Sequence, residues 1–200
     1  MILLLLMVPY RIEAGNLEII DRSKSIFRNG VKVYSDKLYM EAESGIETSK
    51  YLMLKDSVYV KSEDINLKAN RIKYFSDSRI LHGSGNIHIW RKDTLRGDSL
   101  VYYRDSESGN IFGNVYYISD SITVTGKSGY YSQDSIKIKG RPRFTSPSIT
   151  VDSDSVLYFS EDSIFVFLSD VKFQSGEIYG KAEKLKHLSE GNISYITISP

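Results

Sequence analysis

The stretch Leu67-Lys-Ala69-Asn70-Arg-Ile72-Lys-Tyr74 returns as Leu95-Arg-Gly97-Asp98-Ser-Leu100-Val-Tyr102 and again as Val151-Asp-Ser153-Asp154-Ser-Val156-Leu-Tyr158. Each copy sets a small residue between two apolar positions and closes on a tyrosine. The small position recurs at Ala42, Gly126 and Ala182, so the six marks stand 27, 28, 29, 27 and 29 residues apart. A period of that length signals a repeat architecture: one unit cannot bury its apolar face alone, and stacked neighbours share an elongated core. Such stacks usually act as surfaces, grooves and scaffolds rather than as catalytic pockets.

A second signature follows five of the six marks after about sixteen residues. Its clear copies are Gly85-Asn86-Ile87-His-Ile89 and Gly113-Asn114-Val115-Tyr-Tyr117; weaker ones begin at Asp56, Arg141 and Asp170. Each unit therefore holds at least two strand-like pieces. Asp-Ser pairs such as Asp77-Ser78 and Asp120-Ser121 punctuate them, because both side chains bond locally to the backbone and favour turns. From Val31 onward alternation of period two dominates, as in Val31/Val33, Val58/Val60, Ile87/Ile89, Ile136/Ile138 and Ile164/Val166/Leu168, with residues such as Lys32 and Lys137 between. That is the pattern of strands with one buried and one wet face. Lys181 to Leu188 carries some helical spacing, but its match to the repeat favours a strand pair. The expectation is an all-β fold of antiparallel strands stacked into a long, folded-over sheet around an apolar slot, for which an elongated V-shaped or β-jelly-roll section is one way to give the facing sheets a shared core.

Two hundred residues suffice for a substantial core, and 26 basic against 25 acidic side chains argue against a polyanion-binding protein, so no nucleic-acid partner is expected. Cysteine is absent, which removes disulfides and thiolate metal sites. Fifteen tyrosines and only four prolines suit a β-rich chain. Ile2 to Val8 is an apolar run too short to span a bilayer as a helix. Together with Ile12-Glu-Ala14 it reads as a signal peptide over residues 1–14, truncated because the basic n-region is missing; an N-terminal strand or buried cap is the alternative. Residues 15–29 carry little pattern and read as a flexible segment, leaving residues 30–200 as the repeat domain.

The recurrent Gly97-Asp98-x-Leu100-x-Tyr102 followed by Gly113-Asn114-Val115, repeated as Ala69-Asn70-x-Ile72-x-Tyr74 followed by Gly85-Asn86-Ile87, resembles the OstA-like family of lipopolysaccharide-transport proteins. The resemblance covers about Val31 to Ser199. It implies a jelly roll open at both ends and lined with apolar side chains. Such a protein is periplasmic, carries lipid A acyl chains, and pairs its edge strands with related jelly-roll transport proteins at the inner and outer membranes or head-to-tail with its own copies. Among the family's forms the soluble bridge, LptA-like, fits best. The sequence departs from the pattern at Gly45 and Glu47, at Gly129 and at Pro142, which puts local strand pairing in question rather than the fold.

No catalytic constellation stands out, so no enzyme activity and no cofactor is expected. His82, His88 and His187 read as structural, and no metal site is expected. Asp98 and Asp154 read as turn or edge residues, with ion binding as the sharper alternative. The candidate slot lining is Ile87, Ile89, Leu100, Tyr102, Val115, Ile122, Val124, Ile136, Ile138, Val156 and Tyr158. Lipid contact at these positions is what the resemblance implies; residues alone are equally satisfied by a closed core in a structural scaffold or surface adhesin. Lys137, Lys139, Arg141 and Arg143 form a local basic cluster, read as a solvated strand face with lipid-phosphate contact as the alternative. Unpaired edges template pairing with another chain, which nominates Val31, Val33, Ile193, Ile196 and Ile198 in the terminal strands as partner contacts.

Overall fold

The structure is a computed structural model and describes residues 10–35, 38–62, 66–191 and 193–197. Its strands are β1 (Arg11–Asp21), β2 (Lys24–Ser35), β3 (Leu38–Thr48), β4 (Tyr51–Ser62), β5 (Asn66–Phe75), β6 (Ile80–Trp90), β7 (Thr94–Tyr103) and β8 (Ser108–Ser119). There follow β9 (Ile122–Tyr131), β10 (Ser135–Lys139), β11 (Arg143–Thr145), β12 (Thr150–Asp152), β13 (Ser155–Phe159), β14 (Ile164–Ser175), β15 (Ile178–Leu188) and β16 (Ile193–Thr197). All sixteen belong to one antiparallel sheet. The expected all-β jelly-roll class is the one observed, and Lys181 to Leu188 is strand.

Sheet order departs from chain order only around β10 to β13, and there the departure is local. β10 and the short β11 both pair with β9, through Tyr131-to-Ser128 and Thr125-to-Thr123 respectively. β13 and β12 pair in the same way with the two halves of β14. Each pair is one long strand interrupted at its middle. Pro142 supplies the reason, because it has no N–H to give to a ladder. Its carbonyl instead accepts from Ser153 N at 3.2 Å, across the matching break. With the interruptions joined, the chain is a simple meander.

The middle of every second strand carries a left-handed pair: Asn29-Gly30, Asp56-Ser57, Gly85-Asn86, Gly113-Asn114, Gly140-Arg141 and Ser169-Asp170 all have positive φ. Asn, Asp and Gly tolerate that conformation best. At five of these sites the ladder slips by one residue, as a β-bulge requires. The residue after the bulge then faces the small residue of the next strand: Val31 opposite Ala42, Val58 opposite Ala69, Val115 opposite Gly126 and Val171 opposite Ala182. The two sequence signatures are thus one object, a crease with its bulge on one strand and the room for it on the next.

Across the crease the inward residues keep one face. In β2 Phe27, Val31 and Val33 are buried; in β4 Leu52, Leu54, Val58 and Val60; in β8 Ile111, Val115 and Tyr117. The chain divides into two compact units. The first comprises residues 1–91 and 98–105, the second residues 92–97 and 106–200, so β7 contributes to both. In the first unit the Tyr10 hydroxyl hydrogen-bonds the Glu47 carboxylate. Tyr10 stands beside the Arg11–Tyr34 end of the sheet, whereas Glu47 pairs with Ser25 beyond the bulge in β2. The two halves of the creased sheet therefore face one another. In the second unit Phe144, from the half that pairs with Val124, lies 4.9 Å from Phe165 and 5.1 Å from Phe167 of the opposite half.

Three expectations are corrected. Residues 15–29, read as flexible, contain most of β1 and the start of β2. Val31 and Val33 are not edge residues, since β1 pairs them with Ala14 and Ile12 while β3 covers the other side. In β14 the inward residues are Phe165 and Phe167, and the alternating Ile164, Val166 and Leu168 lie on the outer face. Of the segment read as a signal peptide, residues 1–9 lie outside the described residues, and Ile12 to Ala14 form part of β1.

Candidate functional site

The inner face of each creased unit is the feature from which a ligand site can be built. Bulges aim it: because each strand bends at a fixed place, the apolar residues before and after the bend converge on one interior. Each of the eleven positions expected to line the slot is buried on that face or stands two residues along the strand from one that is. Nine are buried, while Tyr102 and Ile136 are half-buried. Ile87, Ile89, Leu100 and Tyr102 belong to the first unit and the other seven to the second.

The two interiors differ in chemistry. The first is mostly aliphatic, with Val33, Met40, Val60, Leu67 and Ile89 on one half and Leu52, Leu54, Ile72 and Leu81 on the other. Its rim is closed by the Tyr10–Glu47 hydrogen bond. Burial, reinforced by that carboxylate, holds the Tyr10 hydroxyl in its neutral, donating form by pushing its pKa up. The second interior is aromatic. Tyr158 stacks on Phe165 at 4.4 Å, and Tyr117 reaches both at 5.4 and 6.3 Å. The Tyr117 hydroxyl donates to Asp93 Oδ2 at 2.8 Å, which satisfies its one polar atom; burial is the main cause that raises its pKa.

At the terminal strands the inner face loses its cover. In β1 Leu17 faces Phe27 and Ile19 faces Ser25, so both belong to the inner face, yet each is 55% exposed. In the second unit Ile178 and Ile196 hold inner positions opposite Ser175 and Leu185 and are exposed by 68% and 43%. Among the described residues β1 pairs only with β2, and β16 only with the Lys184-to-Leu188 half of β15. Ile193 and Ile196 thus sit in a terminal strand, and Ile198 lies outside the described residues. Sequence reasoning missed Leu17, Ile19 and Ile178 because their strands lack a good copy of the repeat; the apolar alternation of Leu17 and Ile19 was the available signal.

The histidines occupy unlike places. His82 and His88 stand on opposite sides of the Gly85-Asn86 bulge, His82 against Phe75 at 5.2 Å and His88 against Trp90 at 4.8 Å. His187 is 1% exposed, packs 5.2 Å from Phe144, and shares a 3.0 Å hydrogen bond with Ser194 Oγ of β16. Its burial lowers its pKa. Asp98 and Asp154 both fall beside the crease; Asp154 N donates to Ser169 O at 2.9 Å.

No family model matches the chain, and no curated protein does. Among solved structures the chain is similar to LptH of Pseudomonas aeruginosa, described as the LptA-homologous periplasmic component of the lipopolysaccharide transport device. The identity is 15% and the TM-score 0.45, over 48% of this chain and 76% of that one.

Proposed function

We propose that this protein is a non-enzymatic carrier in lipopolysaccharide transport through the periplasm, and that it shields acyl chains on the inner face of its creased sheet. The observation that carries the reading is the apolar inner face left uncovered at β1 in the first unit and at β15 and β16 in the second. An acyl chain laid against such a face needs no catalytic group, since each buried methylene contributes roughly 0.8 kcal/mol. The aliphatic interior of the first unit suits flexible chains better than the aromatic interior of the second. Its residues are packed, so chains enter where Leu17 and Ile19 lie open, or after the Tyr10–Glu47 rim parts. The backbone edges of β1 and of the outer half of β15, which pair with no further strand among the described residues, take up strands of related jelly-roll proteins or further copies.

Photo-crosslinking tests the lipid path. A photoreactive residue at Leu17, Ile89 or Leu100 gives adducts with purified lipopolysaccharide, whereas the same residue at the outward Lys172 gives none. Absence of adducts at all three inward positions in folded protein ends the carrier reading. The second reading, a scaffold with a closed core, draws on the ring packing around Phe144 and Phe165; it takes the lead in that case.

A further inference from the structure

Antiparallel sheets with one wetted face alternate apolar and polar residues. Two strands of the second unit break that rule. In Val156-Leu157-Tyr158-Phe159 and Ile164-Phe165-Val166-Phe167-Leu168 both faces are apolar. Val156, Tyr158, Phe165 and Phe167 fill the interior, which leaves Leu157, Phe159, Ile164, Val166 and Leu168 outside. Pairing extends this outer patch sideways. Val166 faces Lys186, which faces Tyr195; Leu157 faces Lys137, which faces Tyr130; Leu168 faces Lys184. The central Leu157, Ile164, Val166 and Leu168 are half-buried, and the flanking Tyr195, Ile193, Phe112 and Tyr130 are exposed by 57%, 48%, 44% and 42%.

Its charge is of one sign. The three rows of paired residues across this face, from β8 or β10 to β16, hold Lys137, Lys139, Lys184 and Lys186 and no carboxylate. Among the described residues none of these lysines has an ion-pair partner. Asp134, Glu161, Asp162 and Glu190 stand beyond the rows in the turns at one rim, and Asp154, Asp170 and Glu183 stand at their other end beside the crease. On the outer face of the first unit the rows differ: Lys32 lies between Glu13 and Glu41, whereas the row of Arg28, Lys55 and Arg71 holds no carboxylate.

We infer that the outer face of β10 and β13 to β16 docks on the surface of an anionic lipid bilayer. Exposed apolar patches of this extent mark interaction sites. Protein interfaces are depleted in lysine, whereas tyrosine, phenylalanine and isoleucine interleaved with snorkelling lysines are suited to the boundary between headgroups and acyl chains. The aliphatic and aromatic side chains enter that boundary and the four ammonium groups meet lipid phosphates. The inference is independent of the carrier reading, which concerns the inner face.

Vesicle co-sedimentation of the full chain tests it. The protein pellets with phosphatidylcholine vesicles that contain phosphatidylglycerol, far less with phosphatidylcholine alone, and less as salt is raised. Each lysine near an anionic surface contributes roughly fivefold in partition, so K184Q/K186Q weakens binding by more than tenfold. I193S/Y195S weakens binding to both kinds of vesicle, and K61Q, on the first unit, leaves it unchanged. Circular dichroism checks that each variant is folded. Failure of the wild type to pellet, or equal binding by K184Q/K186Q, overturns the inference. So does a lipid-free dimer that I193S/Y195S abolishes, since it makes this face a protein interface. None of these results bears on crosslinks at the inward Ile89 and Leu100.

Discussion

At Gly126 the crease leaves no room for a side chain. A Cβ there would lie 2.4 Å from Ile138 Cγ2 and 3.0 Å from the Lys139 carbonyl oxygen. Gly97 is similar, with Ile111 Cγ1 2.6 Å from the missing Cβ. The isoleucine from the neighbouring strand takes the space in both cases, so overpacking is the cost of substitution. Gly126→Val lowers stability by about 1–3 kcal/mol in urea unfolding, while Ala42→Gly, at the same position of another copy, costs about 1 kcal/mol or less. His187 makes a prediction of opposite character. In the unfolded chain its imidazole has the ordinary histidine pKa of about 6.5, and burial holds the folded value lower. The unfolded chain therefore binds the proton first as pH falls. The stability contributed by neutral His187 is complete above pH 6.5 and is lost progressively below it. His187→Phe keeps a ring against Phe144, and the difference in unfolding midpoint between variant and wild type shrinks or reverses on going from neutral to acidic pH. A constant difference would refute this account.

The interrupted strands and the rim belong to the scale of elements. Pro142 occupies the place held by Val31, Val58, Ile87, Val115 and Val171 in the other copies. It keeps the apolar contact but removes the amide, and one repeat is read as four short strands in place of two long ones. The sequence departure noted at Pro142 thus changes local pairing and leaves the meander intact. Tyr10 acts across the crease, tying the start of β1 to the end of β3 through Glu47. Tyr10→Phe loses this bond and leaves a half-buried Glu47 carboxylate without its donor. The variant costs about 1–2 kcal/mol in stability. Under the carrier reading it also increases the fluorescence of an apolar probe added to folded protein; unchanged fluorescence separates a structural tie from a rim that gates access. At the other end, Ile164, Val166 and Leu168 show how an alternation argument fails. When both sets of alternate residues are apolar, period two cannot say which set turns inward.

Over the whole molecule, pairing between sequence neighbours implies graded stability. A meander in which, among the described residues, no long-range strand closes the sheet frays from its terminal strands, as stacked repeats do. Amide exchange is accordingly fastest in β1 of the first unit and, in the second, in β16 and in the half of β15 that has no second partner strand among the described residues. It is slowest in β4 and β5, and in β9 and β14. Uniform protection from β1 through β6 would contradict this. The same terminal strands carry the uncovered inner-face residues, so the most mobile parts of the sheet and its most exposed apolar positions coincide.

The sequence by itself determined the repeat, the two strands per repeat, the all-β antiparallel class and the inward direction of residues such as Ile87, Leu100 and Val156. These follow from local periodicity, which is written into adjacent side chains. Bulges were half visible: Gly85-Asn86 and Gly113-Asn114 showed as a motif and the sites at Asp56, Arg141 and Asp170 as weaker copies, while Asn29-Gly30 did not show, because the flanking pattern was weak. Only the tertiary structure decided that the motif and the small residue meet at one crease. It also decided that β1 rather than β2 is the terminal strand, that Tyr10 reaches Glu47, and that the second interior is filled by Tyr117, Phe144 and Phe165. Those facts depend on contacts between residues far apart in the chain. Period and composition fix which face of a strand is apolar, but what covers that face is settled by the strands that fold back across it.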